Sequence, residues 1–175
     1  MTSKIYGILE LFTRKATRVT ATIAGILTIL MIFTTSYGVA MRYFFRRPEP
    51  ISYELTTIFM LWAFLMAVSF VEYRQDHIRA DIFVTLMPKA LANFLHRIVG
   101  PTLALFYCII LTWKGWSVAM YSFSIGERSM SIWGEPLFPI KIMVPICYCL
   151  LAVVVLRNLC RGILAYTSLA PSEQG

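Results

Sequence analysis

Between Arg18 and Arg42 the chain runs as "VTATIAGILTILMIFTTSYGVAM", residues 19–41, without one charged side chain. A helix needs about 20 apolar residues to cross a hydrocarbon core of about 30 Å, so this run dictates a membrane span. It is longer than the apolar stretch of a cleaved secretory signal, and "YGVAMRYF" makes a poor small-residue cleavage site, so a retained anchor is expected.

Three further runs follow. Residues 55–71, "LTTIFMLWAFLMAVSFV", are uncharged between Glu54 and Glu72. The third runs from Ile98 to about Ser117 and tolerates Lys114; the fourth carries Lys141 near its start and stops at Arg157. Composition agrees: 58% of the 175 residues are hydrophobic and 14% charged, against about one quarter charged in an ordinary soluble domain. The expected fold class is all-α, an integral membrane protein with four transmembrane helices at about 19–41, 53–71, 98–117 and 137–156. One membrane domain, 1–175, accounts for the chain, and little room is left for a soluble one.

Two flanking stretches read as interfacial amphipathic helices. In residues 3–17, Ile5, Ile8, Leu9 and Phe12 recur at helical spacing and basic residues follow. In the connector 72–97, Pro88 suits a helix first turn, and Leu91, Phe94, Leu95 and Ile98 repeat the same period. The tail, 157–175, ends in a loose "APSEQG".

Basic residues set the orientation, because they accumulate on the cytoplasmic side. With four spans the termini share a side with the middle connector. That side carries Lys4, Arg14, Lys15, Arg18, Arg74, Arg79, Lys89, Arg97, Arg157 and Arg161; the other carries Arg42, Arg46, Arg47, Lys114, Arg128 and Lys141. The imbalance predicts both termini in the cytoplasm. The net charge of +7 is then a matter of topology and attraction to membrane phospholipids, not of nucleic acid. Lys114 lies about 24 Å along a helix entered at Ile98, between Trp113 and Trp116. It is expected to snorkel to the outer interface through an aromatic belt, with a partner or lipid-headgroup contact as the alternative.

Chemistry is hard to assemble from what remains. Cys147 and Cys149 form a C-x-C, but two residues apart on a helix they point to nearly opposite faces, so Cys108, Cys147, Cys149 and Cys160 read as inert thiols. A haem subunit presents His ligands from within its spans, whereas His77 and His96 fall outside them. An exporter driven by protons ordinarily needs a carboxylate within the membrane. Here the acidic residues fall at span ends, in connectors or in the termini. Matched Gly/Pro-broken helices and inverted repeats, the signs of a transport site, are missing too. In "RQDHIRAD", His77 and Asp81 share a helix face, yet a metal site needs a further donor; a structural pairing after the second span is the expected role. No cofactor, no metal and no enzymatic activity are expected.

The order of residues through "VAMRYFFRRPEPISYELTTIFMLWAFLMAVSFVEYRQDHIRADIFVTLMP" resembles the small membrane (Q-type, DctQ-like) subunit of tripartite ATP-independent periplasmic (TRAP) transporters. In that family a basic-aromatic "RY-F" closes the first helix, a Glu opens the second, a Trp follows within it, and "HI-x-x-D" follows its end. These fall on Arg42 and Tyr43, Glu54, Trp62, and His77, Ile78 and Asp81. One departure is Ala67 and Val68, where the family often has a Gly-Ala pair. The resemblance implies a heterodimer with a large multi-span subunit that binds substrate and sodium. A periplasmic binding protein delivers the substrate, an organic acid, and the small subunit steadies the scaffold. The alternatives are a membrane anchor of a respiratory enzyme and a stand-alone four-helix exporter.

Two readings accompany most of the candidate residues. Glu54, two residues after a potential N-cap Ser52, either opposes a helix dipole or pairs with Arg42 or a basic residue of the large subunit. Arg46, Arg47 and Glu49 on one outer loop, with Glu127 and Arg128 on the other, are either solvated or touch the binding protein. Trp62 reads as a helix-packing residue facing either the large subunit or lipid.

Overall fold

In hydrocarbon every backbone N–H and C=O must be met within its own segment, so apolar runs of this length leave helices as the economical solution. The computed structural model, which describes residues 2–47, 49–74 and 99–169, has four of them. They are α1 (Thr2–Phe44), α2 (Pro50–Arg74), α3 (Gly100–Ser124) and α4 (Phe138–Leu169). Each contains a stretch long and apolar enough to cross a membrane. Among the described residues the only extended pairing is a single bridge between Arg128 and Pro136 in the α3–α4 loop.

The helices pack as two hairpins, α1 on α2 and α3 on α4, joined along an α2–α4 seam with a lighter contact between α1 and α4. In the first hairpin the Thr34 and Thr56 hydroxyls lie 3.0 Å apart. One turn further along, a Cβ on Gly38 would stand 3.0 Å from the Ser52 Cβ, so any larger residue would press the two helices apart by a few tenths of an ångström. The second hairpin turns on Pro145, which lies buried inside α4. A proline there cannot donate its backbone hydrogen bond and crowds the preceding turn. Gly115 of α3 makes room opposite: a Cβ there would meet the Pro145 Cδ at 3.3 Å. Val154 and Val155 of α4 are buried, at 0% and 3% exposure.

Several helices run beyond the spans expected within them. α1 runs unbroken through both the stretch read as an interfacial helix and the first span. Its inward face there is polar, with Thr13 and Thr17 fully buried, while Leu11 and Phe12 face out. The threonine hydroxyls donate to the Leu9 and Thr13 carbonyls at 2.8 and 2.7 Å, which satisfies them inside the helix. α3 continues to Ser124 and α4 to Leu169, past the ends expected at 117 and 156. α2 opens at Pro50, which suits a first helical position. Ser52 therefore lies inside the first turn, not at the cap. Of the connector, only 72–74 belongs to α2; the rest of it, with His77, Asp81 and His96, lies outside the described residues.

Enlarging Gly115 to leucine should force the two helices apart at Pro145 and cost about 1–3 kcal/mol, the usual range for overpacking. Gly25→Ala, whose Cβ meets nothing within 4 Å, should not lower the thermal unfolding midpoint in detergent. An unshifted midpoint for Gly115→Leu would contradict the packing.

Candidate partner and lipid interface

At the end of the bundle that carries the N-terminus, three helices meet at one guanidinium. Arg157 of α4 is 4% exposed, and its Nε and Nη2 each donate to a Glu10 carboxylate oxygen at 2.7 Å. Two parallel bonds of this kind are the geometry in which arginine binds a carboxylate most firmly. The guanidinium also lies over the Tyr73 ring, 4.4 Å from its centroid. The Tyr73 hydroxyl completes the set by donating to Glu10 at 3.3 Å. Next to Arg157, the Asn158 side-chain amide donates to the Glu72 carboxylate at 2.8 Å and to its carbonyl at 3.2 Å. Asn158 in turn accepts from Arg157 Nη1 at 3.2 Å. α1, α2 and α4 are thus clamped by ionic and hydrogen-bonded contacts.

None of these five residues stood out in the sequence as a site. Arg157 reads as the charge that ends a span, and Glu10 as part of an amphipathic stretch. The available signal was Glu10 itself, an acid between apolar residues in "ILELF". An ionisable group so placed calls for a partner.

The opposite end is organised by the α3–α4 loop. Main-chain bonds from Ser129 N–H to the Glu135 carbonyl at 2.9 Å and from Leu137 N–H to the Glu127 carbonyl at 3.1 Å fold it on itself. Glu127 forms an ion pair with Lys141 at the start of α4. The Lys141 ammonium holds the Glu127 carboxyl below the usual carboxylate range. Glu135 is held low as well, chiefly by the Ser131 hydroxyl, which donates to it at 2.7 Å. Met130, Ile132 and Trp133 stand out from the loop, at 107%, 86% and 45% exposure.

Of the residues singled out in the sequence, Arg42 and Tyr43 lie exposed in the last turn of α1. Arg46 takes a left-handed conformation, φ 52°, just past that helix, and Arg47 N–H bonds back to the Met41 carbonyl at 3.3 Å. This ending ordinarily favours glycine. Glu49 accepts the Ser52 hydroxyl at 2.8 Å across the start of α2. Glu54 sits beside the α3–α4 loop through Glu135, not in an ion pair with Arg42. Its Oε2 and the Trp62 indole nitrogen are shielded, and within the described residues neither has a hydrogen-bond partner. Arg128 is exposed on the loop, and Lys114 is exposed between Trp113 and Trp116 with α3 extending well past it. Cys147 is buried and Cys149 exposed, as opposite faces require, and the four thiols are free.

Removing Arg157 as Arg157→Met should strand the Glu10 carboxylate and cost about 3 kcal/mol, the range for breaking one side of a buried pair. Tyr73→Phe should cost no more than about 1 kcal/mol. Chemical unfolding in mixed micelles distinguishes the two. Acid should act on the α3–α4 loop as well. The folded value of Glu127 is depressed, so its stabilisation is complete above its unfolded-state value and fades as pH falls through the folded one. Glu127→Gln should flatten that part of the pH dependence of the thermal midpoint.

A search of curated proteins finds no match for this chain. The family model described as "Tripartite ATP-independent periplasmic transporters, DctQ component" matches residues 31–165. That match takes in the end of α1, all of α2 and α3 and most of α4, including Arg157 and Asn158. The chain therefore belongs to the DctQ family, the small membrane component of TRAP transporters.

Proposed function

We propose that this chain pairs with a large multi-span membrane subunit to form the stationary scaffold of a sodium-driven uptake system. A periplasmic binding protein brings an organic acid, a carboxylate or similar anion, to that pair. The family match over residues 31–165 carries this reading. Two features of the bundle support it. The buried Arg157 is engaged with Glu10 in a clamp that ties α4 to α1, as suits a fixed support. The bundle's flanks expose large apolar side chains such as Phe33, Phe64, Phe106 and Trp113, at 64–74%, enough surface for lipid on one side and a partner's helices on another.

In this reading the protein sits in the bacterial inner membrane with both termini in the cytoplasm, by the distribution of basic residues. Arg42, Tyr43, Glu54 and Lys114 supply polar contacts to the large subunit, and the half-buried Trp62 ring packs against its helices. Arg46, Arg47, Glu49, Glu127 and Arg128 face the binding protein. A left-handed arginine at position 46, where glycine would relieve about 1–2 kcal/mol of strain, fits a side chain retained for contact. His77 and Asp81, outside the described residues, belong to the cytoplasmic side and support assembly.

The test is co-expression with affinity capture through this chain, followed by reconstitution with the binding protein. A larger multi-span protein should co-purify in equal amount, and uptake should require both subunits and an inward sodium gradient. Recovery of a stable monomer with no such partner, or a haem Soret band in its spectrum, would reject this function in favour of another membrane role.

A further inference from the structure

The first hairpin is not closed along its whole length. Between α1 and α2 an apolar groove of about 470 Å³ runs from Ala21 to Met31 on one wall and from Met60 to Val71 on the other, a volume typical of ligand sites. Ten residues of helix span about 15 Å, half of a hydrocarbon core of about 30 Å. The groove therefore covers one leaflet. Past Met31 the helices come together through Thr34, Thr56, Gly38 and Ser52, so a partner helix crossing the bilayer would lose this track midway. An acyl chain that ends at the midplane would not.

The mouth of the groove is cationic. Arg14, Arg18, Ala21, Gly25 and Thr28 follow at spacings of four, three, four and three, which place them on one face of α1. Arg74 is one turn beyond Phe70 and Val71 on α2, its guanidinium 5.0 Å from the Phe70 ring. All three arginines are exposed. The acidic residue nearest in sequence on α1, Glu10, is held by Arg157, and Glu72 on α2 by Asn158. Positive charge at headgroup depth above an apolar track one leaflet long matches a single chemistry.

We propose that this groove binds an anionic phospholipid of the leaflet on the terminal side. One acyl chain lies between α1 and α2, and the phosphate sits among Arg14, Arg18 and Arg74. Bound lipid fills the splay that direct packing leaves open and stiffens the hairpin below Gly38.

Native mass spectrometry of the full-length chain in mild detergent, titrated with phosphatidylglycerol or phosphatidylcholine, tests the site. Wild type should retain phosphatidylglycerol more tightly by on the order of tenfold. The combination Arg14→Gln, Arg18→Gln and Arg74→Gln should erase that preference while leaving weak retention of both lipids. Gly25→Leu, introduced where a Cβ meets nothing within 4 Å, should fill the track and lower retention of both. Equal retention of the two lipids by wild type would overturn the proposal. So would unchanged retention in Gly25→Leu.

Discussion

Everything about the bundle's end near the N-terminus depends on the ion pair between Arg157 and Glu10. A guanidinium at 4% exposure carries a large desolvation penalty, and attraction offsets it only when geometry is good and the remaining donors are occupied. Both conditions are met. Two bonds of 2.7 Å reach one carboxylate, a third reaches Asn158, and the Tyr73 ring covers the cation. The helices themselves are apolar nearly all round, and van der Waals contact between apolar helices in lipid is poorly directional. A polar clamp supplies the register that such contact lacks: α1 and α2 are held against α4 at one rotation and one height.

The rest of the architecture follows as close approach at chosen points and looseness elsewhere. Gly38 against Ser52 and Gly115 against Pro145 bring backbones together in each hairpin. Between Gly38 and the clamp, α1 and α2 are free to diverge, and the groove from Ala21 to Met31 is the result. Much of the remaining apolar surface faces outward, as a membrane-spanning bundle requires.

How much of this was legible in the sequence depended on whether the determinant was local. Uncharged runs such as 19–41 declare spans directly, and the opposite orientation of Cys147 and Cys149 follows from helical period alone. The helix ends were harder. Arg157 reads as a stop because a charge at a span end normally meets water; here Glu10, 147 residues away, neutralises it, and α4 continues. Arg14, Lys15 and Arg18 mark a boundary of hydropathy, yet nothing in them breaks a helix, so α1 passes through. α3 outruns its expected end because "VAMYSFS" contains neither a charge nor a helix breaker. Ser52 resembled an N-cap by type, but Pro50 at a first helical position set the true start. The family residues Arg42, Tyr43, Glu54 and Trp62 were visible as an ordered pattern. The proximity of Glu54 to Glu135 was not, since the two are brought together only by the α2–α4 seam.

A double-mutant cycle on Glu10 and Arg157, read by unfolding in mixed micelles, tests most directly whether the clamp holds the bundle. Glu10→Leu, Arg157→Met and the pair together should give a coupling energy of about 1–3 kcal/mol, the double variant being more stable than the sum of the single losses allows. Additivity within about 0.5 kcal/mol would show that the two residues do not hold α1 to α4, and would contradict the account.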